Sequence, residues 1–101
     1  MIRKLGIFTT GILLAFQVLA AELWVDVRSA EEYAAGHHPQ AVNIVHTEIA
    51  DHIDEFAESK DQVINLYCKS GRRAGIAKQA LEDMGYTKVN NLGGYKDVVQ
   101  Q

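Results

Sequence analysis

Short apolar runs alternate with stretches whose apolar residues recur at helical spacing, and this alternation restricts the fold more than any other feature of the chain. Leu23-Trp24-Val25-Asp26-Val27 reads as a buried strand. Ser29-Ala30-Glu31-Glu32 has the form of a capping box, which predicts a short helix running to about Ala35 and ended by Gly36. Ala41-Val42-Asn43-Ile44 is a second, shorter strand. From Thr47, read as an N-cap, apolar residues fall at Ile49, Ile53 and Phe56, again a helical spacing. Val63 to Tyr67 is a third strand. A helix is predicted from Ala74, with Ile76, Ala77, Ala80, Leu81 and Met84 on one face and Gly85 as its stop. Lys88 to Leu92 is a fourth strand, Gly93-Gly94 a turn, and Tyr95 to Val99 a last helical turn. Strands in alternation with helices predict a parallel sheet with helices on its faces. In such sheets, binding sites lie beyond the carboxyl ends of the strands.

A chain of 101 residues allows one small domain. Its start is distinctive: Arg3 and Lys4 precede a mostly apolar run from Leu5 to Leu19, and Val18-Leu19-Ala20 offers a signal-peptidase site. Residues 1–20 therefore read as a signal peptide and 21–101 as the domain, which would be periplasmic in a two-membrane bacterium. The competing reading is an uncleaved anchor, although the run is shorter than the ~20 residues a membrane span needs. Loss of the leader leaves eight Lys plus Arg against thirteen Asp plus Glu, a formal charge of −5. An acidic exported domain is a poor binder of nucleic acid, and no stable membrane association is expected after cleavage. No apolar interface stripe is evident, and a monomer is expected.

Cys68 is the lone cysteine, so no disulfide can form within the chain. It is either an inert core residue or a reactive thiol. Its place favours the second: an apolar run leads into it, Lys69-Ser70-Gly71-Arg72-Arg73 follows as a polar loop, and a helix comes next. Backbone N–H groups of such a loop can curl around the sulfur, and the helix start adds partial positive charge. Both favour thiolate over thiol.

Taken in order, Asp26-Val27-Arg28, Glu32-Tyr33, Gly36-His37-His38-Pro39-Gln40-Ala41-Val42-Asn43-Ile44, Tyr67-Cys68-Lys69-Ser70-Gly71-Arg72-Arg73 and Leu92-Gly93-Gly94-Tyr95 resemble a single-domain rhodanese. The likeness is greatest to the exported phage-shock-protein E type. It implies a small three-layer α/β/α domain with a mostly parallel sheet of four to five strands. It also implies thiosulfate sulfurtransferase chemistry with Cys68 as nucleophile. A small anionic donor, thiosulfate, would bind Lys69, Ser70, Gly71, Arg72 and Arg73. Cyanide or a thiol would accept the sulfur, and no metal or organic cofactor is required. Which of Arg72 and Arg73 reaches substrate stays open: Arg73 could instead brace the loop through a salt bridge or carbonyl contacts, and Arg72, nearer the loop tip, is the better candidate for substrate. Two residues depart from the family's habit: Ala74 stands where serine or threonine is frequent, and Gln40 where glycine is.

Two other functional classes compete. One is a sulfur carrier or stress-response binding module with little turnover. The other is a cysteine phosphatase or arsenate reductase, but those use a C-x5-R loop. Here Arg73 gives C-x4-R, a smaller ring that suits sulfur better than phosphate. His37, His38, His46 and His52 lack zinc-like spacing, and His37 is expected in loop packing. Asp26 and Arg28 are expected to pair with each other at a strand end.

Overall fold

The computed structural model describes residues 21–100, so the expected leader lies outside the described residues. Strands β1 (Leu23–Asp26), β2 (Ala41–Asn43), β3 (Ile64–Cys68) and β4 (Val89–Gly94) form one sheet in the order β2-β1-β3-β4. Every neighbouring pair is parallel. Helices α1 (Ala30–Ala35), α2 (Ile49–His52), α3 (Arg72–Asp83) and α4 (Tyr95–Val98) connect and follow them.

Alternation along β3 divides the core between two faces. Ile64, Leu66 and Cys68 pack with Val25 and Val27 and with Ala74, Ala77 and Leu81 of α3. Tyr67 faces the other way, onto Ala41, Val98 and the partly buried Trp24, Tyr33, Leu92 and Tyr95. The result is a three-layer α/β/α domain. All five residues of β3 are buried, as a central parallel strand covered on both faces requires. Burying an aliphatic side chain such as Leu66 or Leu81 is worth about 1.5–3 kcal/mol. Among the described residues no helix is long and apolar enough to cross a membrane.

Three elements differ from the sequence expectation. Helix α3 begins at Arg72, not Ala74, because Gly71 adopts φ +100° as its N-cap and its carbonyl accepts the Gly75 N–H at 2.9 Å. Arg72 and Arg73 thus belong to the first helical turn, and the loop proper shrinks to Lys69-Ser70-Gly71. The buried face also differs from the expected one: Ile76 is 48% exposed, while Ala74, Ala77 and Leu81 are fully buried. Second, the helix expected from Thr47 is a broken run: a 3-10 turn (His46–Glu48), the four-residue α2, and another 3-10 turn (Ile53–Glu55). Thr47 caps nothing; the run is entered through Val45 with no side-chain cap. Only Ile49 and Ile53 are anchored in the core, with Phe56 left 41% exposed, and two anchors do not support a longer helix of His, Thr and Asp. Third, Gly93-Gly94 extends β4 and Gly94 pairs with Cys68 across a register shift. A side chain at Gly94 would collide with the Lys69 carbonyl oxygen, so only glycine lets the strand come this close.

The chain leaves β1 toward β2 on one side and leaves β3 toward β4 on the other. Neighbouring strands whose connections part in this way open a crevice beyond their carboxyl ends. Asp26 ends β1 at that crevice and Cys68 ends β3.

Candidate active site

Cys68 lies at the bottom of a backbone cradle and is 1% exposed. The Gly71 N–H donates to its Sγ at 2.9 Å and the Ala74 N–H at 3.4 Å. Burial pushes the thiol up, but the N–H groups of Ala74, Ser70, Gly71 and Arg73 more than offset it, and the thiol sits below its ordinary value. The free N–H groups at the start of the twelve-residue α3 point the same way. Ala74 needs no hydroxyl for this, since the contact is made by its backbone.

The two arginines of the motif part company. Arg73 donates from Nη1 and Nη2 to the two carboxylate oxygens of Glu32, at 2.8 and 3.1 Å. The Arg73 guanidinium, followed by the Ser29 backbone N–H, pulls the Glu32 carboxyl down to about 2. Glu32 completes the capping box of α1 as well, accepting the Ser29 N–H at 3.0 Å while its own N–H donates to Ser29 Oγ. One carboxylate therefore fastens the start of α3 to the start of α1. Arg72 and Lys69 are exposed, and among the described residues neither forms an ion pair. Ser70 is exposed and contributes its backbone N–H. Glu32 was legible as a helix cap and as part of the family pattern, but nothing in its spacing pointed to a second partner 41 residues away.

The end of β1 supplies the opposite wall. Asp26 is fully buried and receives Arg28 Nη2 at 2.7 Å, Arg28 Nε at 3.0 Å and the Arg28 N–H at 2.9 Å. Nη2 also donates to the Gly36 carbonyl at 2.7 Å, and the guanidinium lies 4.5 Å from the Tyr95 ring centre. A cleft of about 450 Å³ is lined by Arg28, Glu32, Lys69, Tyr95, Lys96 and Asp97. A hollow of about 570 Å³ at Ala21, Glu22, Trp24 and Gln40 lies by the start of β1, away from Cys68 at the far end of β3. His37 stacks on Tyr33 at 3.6 Å, with Nδ1 placed 2.8 Å from the Tyr33 carbonyl, so that nitrogen carries the proton. His38 stacks on Trp24 and its N–H donates to the Tyr67 hydroxyl oxygen at 3.0 Å. Both histidines serve loop packing. His52 is held by Glu55 on an exposed surface.

A buried cysteine in an amide cradle, at the switch point of a small parallel sheet, defines a class that comparison with known proteins identifies. The rhodanese-like domain family matches residues 15–101, and the chain belongs to that family of sulfurtransferases. It is 39% identical over 95 residues to the thiosulfate sulfurtransferase PspE of Escherichia coli, covering 94% of this chain and 91% of the relative. A solved structure described as a rhodanese with anions from E. coli superposes with a TM-score of 0.74. It is 43% identical and covers 76% of this chain and 91% of that one. The human single-domain sulfurtransferase TSTD1 gives 0.65 at 28% identity, with 79% and 82% covered.

Proposed function

We propose that this chain is an exported thiosulfate sulfurtransferase that passes a sulfane sulfur to cyanide or a thiol through a persulfide on Cys68. The observation that carries the reading is the setting of the sulfur, with the Gly71 N–H 2.9 Å away at the start of a helix. The PspE relative, named for thiosulfate sulfurtransfer, supports it.

The thiolate attacks the outer sulfur of thiosulfate. A bond forms between Sγ and that sulfur, the sulfur–sulfur bond of the donor breaks, and its electron pair leaves with sulfite. Cyanide then attacks the outer sulfur of the persulfide, thiocyanate departs, and the pair returns to Sγ as thiolate. Two half-reactions on one nucleophile give ping-pong kinetics. The amide groups are already in place around the resting thiolate, and the same cradle is available to the persulfide anion. Arg73 is engaged by Glu32 and braces the loop. Lys69 and Arg72 therefore hold and steer the anionic donor.

The 1% exposure of Cys68 favours a second reading, a carrier that keeps sulfane sulfur for a partner and turns over slowly. Thiocyanate formation from thiosulfate and cyanide separates the two. Steady turnover with parallel double-reciprocal lines is expected; stoichiometric sulfur uptake with negligible turnover on every acceptor supports the carrier instead.

A further inference from the structure

Gly71 is both the softest point of the cradle and the source of its shortest hydrogen bond to sulfur. Its N–H reaches Cys68 Sγ at 2.9 Å, while its φ of +100° lies in a region that glycine enters and leaves at little cost. A restraint from outside the loop is needed to keep this residue turned toward the sulfur. Its carbonyl oxygen carries that restraint. The oxygen accepts the Gly75 N–H and also Asn91 Nδ2, each at 2.9 Å. The side-chain oxygen of Asn91 accepts the Gly93 N–H, again at 2.9 Å. Gly93 has φ +91°, and its Cα lies 3.4 Å from where a side chain on Gly71 would begin. One planar amide thus joins two glycines that are both free to swing.

The job selects asparagine. It requires a donor toward one backbone carbonyl and an acceptor for one backbone N–H, held a fixed distance apart on a short stem. A carboxylate would set an acceptor against the Gly71 carbonyl. The amide nitrogen also lies over Gly75, at ordinary contact distance (3.6 Å) from where a side chain there would begin. The preceding residue shows that the placement is specific to one face of β4: Asn90 donates to Asn65 Oδ1 at 3.0 Å instead.

We propose that Asn91 is a positioning residue of the cysteine loop, its amide locking Gly71 and Gly93 together so that the Gly71 N–H stays on the sulfur. It touches no reacting atom. The proposal rests on the reading of Cys68 as the nucleophile of sulfur transfer.

The test follows thiolate absorbance against pH in the intact protein, with Cys68→Ala as the blank. Asn91→Ala is expected to move the midpoint upward, cutting the thiolate-to-thiol ratio below it by about threefold, the worth of one weakened hydrogen bond. Asn90→Ala, which removes a similar exposed amide from the same strand, is expected to titrate with wild type. Asn91→Asp keeps the acceptor for Gly93 and loses the donor to Gly71. Measured at high salt to screen its charge, it is expected to follow Asn91→Ala and carries the test if the alanine variant does not fold. A wild-type midpoint in either Asn91 variant overturns the proposal, as does an equal shift in Asn90→Ala. Failure of wild type to take sulfur from thiosulfate overturns the functional reading alone, because the titration still decides the role of Asn91.

Discussion

At the ends of neighbouring strands, two groups able to carry negative charge are buried and compensated by opposite means. Asp26, at the end of β1, is answered by a side-chain cation two residues away. Cys68, at the end of β3, is answered by backbone N–H groups. A guanidinium answers its partner with a full charge through fixed hydrogen bonds, which suits a wall. Amides lower the cost of an anion without adding net charge, which is what the proposed cycle of persulfide formation and release asks of the sulfur. The side-chain device is broken by changing one residue. The backbone device is broken only through the glycines and ties that hold its shape.

The largest effect is expected on the β1 side. Asp26→Ala leaves Arg28 buried without its anion and is expected to cost about 3–5 kcal/mol in urea unfolding. A loss below about 1 kcal/mol would mean that the guanidinium escapes to solvent and that β1 is no rigid wall. Gly71→Ala attacks the backbone device: forcing a side chain into φ +100° is expected to cost about 1–2 kcal/mol and to move the thiol midpoint upward. Unchanged titration in that variant would detach the cradle from the thiolate.

The adjacent arginines sharpen the contrast further. Arg73→Ala is expected to cost about 1 kcal/mol, discounted because the pair is partly exposed. Arg72→Ala is expected to leave stability unchanged and to raise KM for thiosulfate. Equal KM effects from both would return Arg73 to the donor site. The Glu32 pair has a defined pH window. Its carboxyl, held at about 2, contributes stability fully above the ordinary value near 4.5, and that contribution fades as pH falls toward 2. Glu32→Gln is therefore expected to narrow its stability gap to wild type below pH 4.5. The smallest effect belongs to Cys68. Its folded value is depressed, so its contribution is lost as pH falls through that value and is complete above the ordinary thiol value. The stability of wild type relative to Cys68→Ala should rise with pH across that interval.

Much of this layout was legible in the chain. The alternation of apolar runs marked all four strands, and Ser29 with Glu32 marked the start of α1. The segment from His46 to Phe56 misled because periodicity counts apolar residues without knowing which reach the core; Phe56 does not. The boundary of α3 was hidden by Gly71, whose left-handed turn starts a helix where composition suggests a loop. Cys68 could be singled out because strand, loop and helix follow each other in sequence. The partnerships of Arg73 with Glu32 and of Gly71 with Asn91 span 41 and 20 residues and depend on how the sheet is ordered. No local pattern encodes them.

The intact mass of the protein after exposure to thiosulfate tests most directly whether the amide-held sulfur accepts another. A gain of one sulfur atom, removed by cyanide and missing in Cys68→Ala, is the expected result. An unchanged mass in a folded wild-type protein, or a gain that survives in Cys68→Ala, would contradict it.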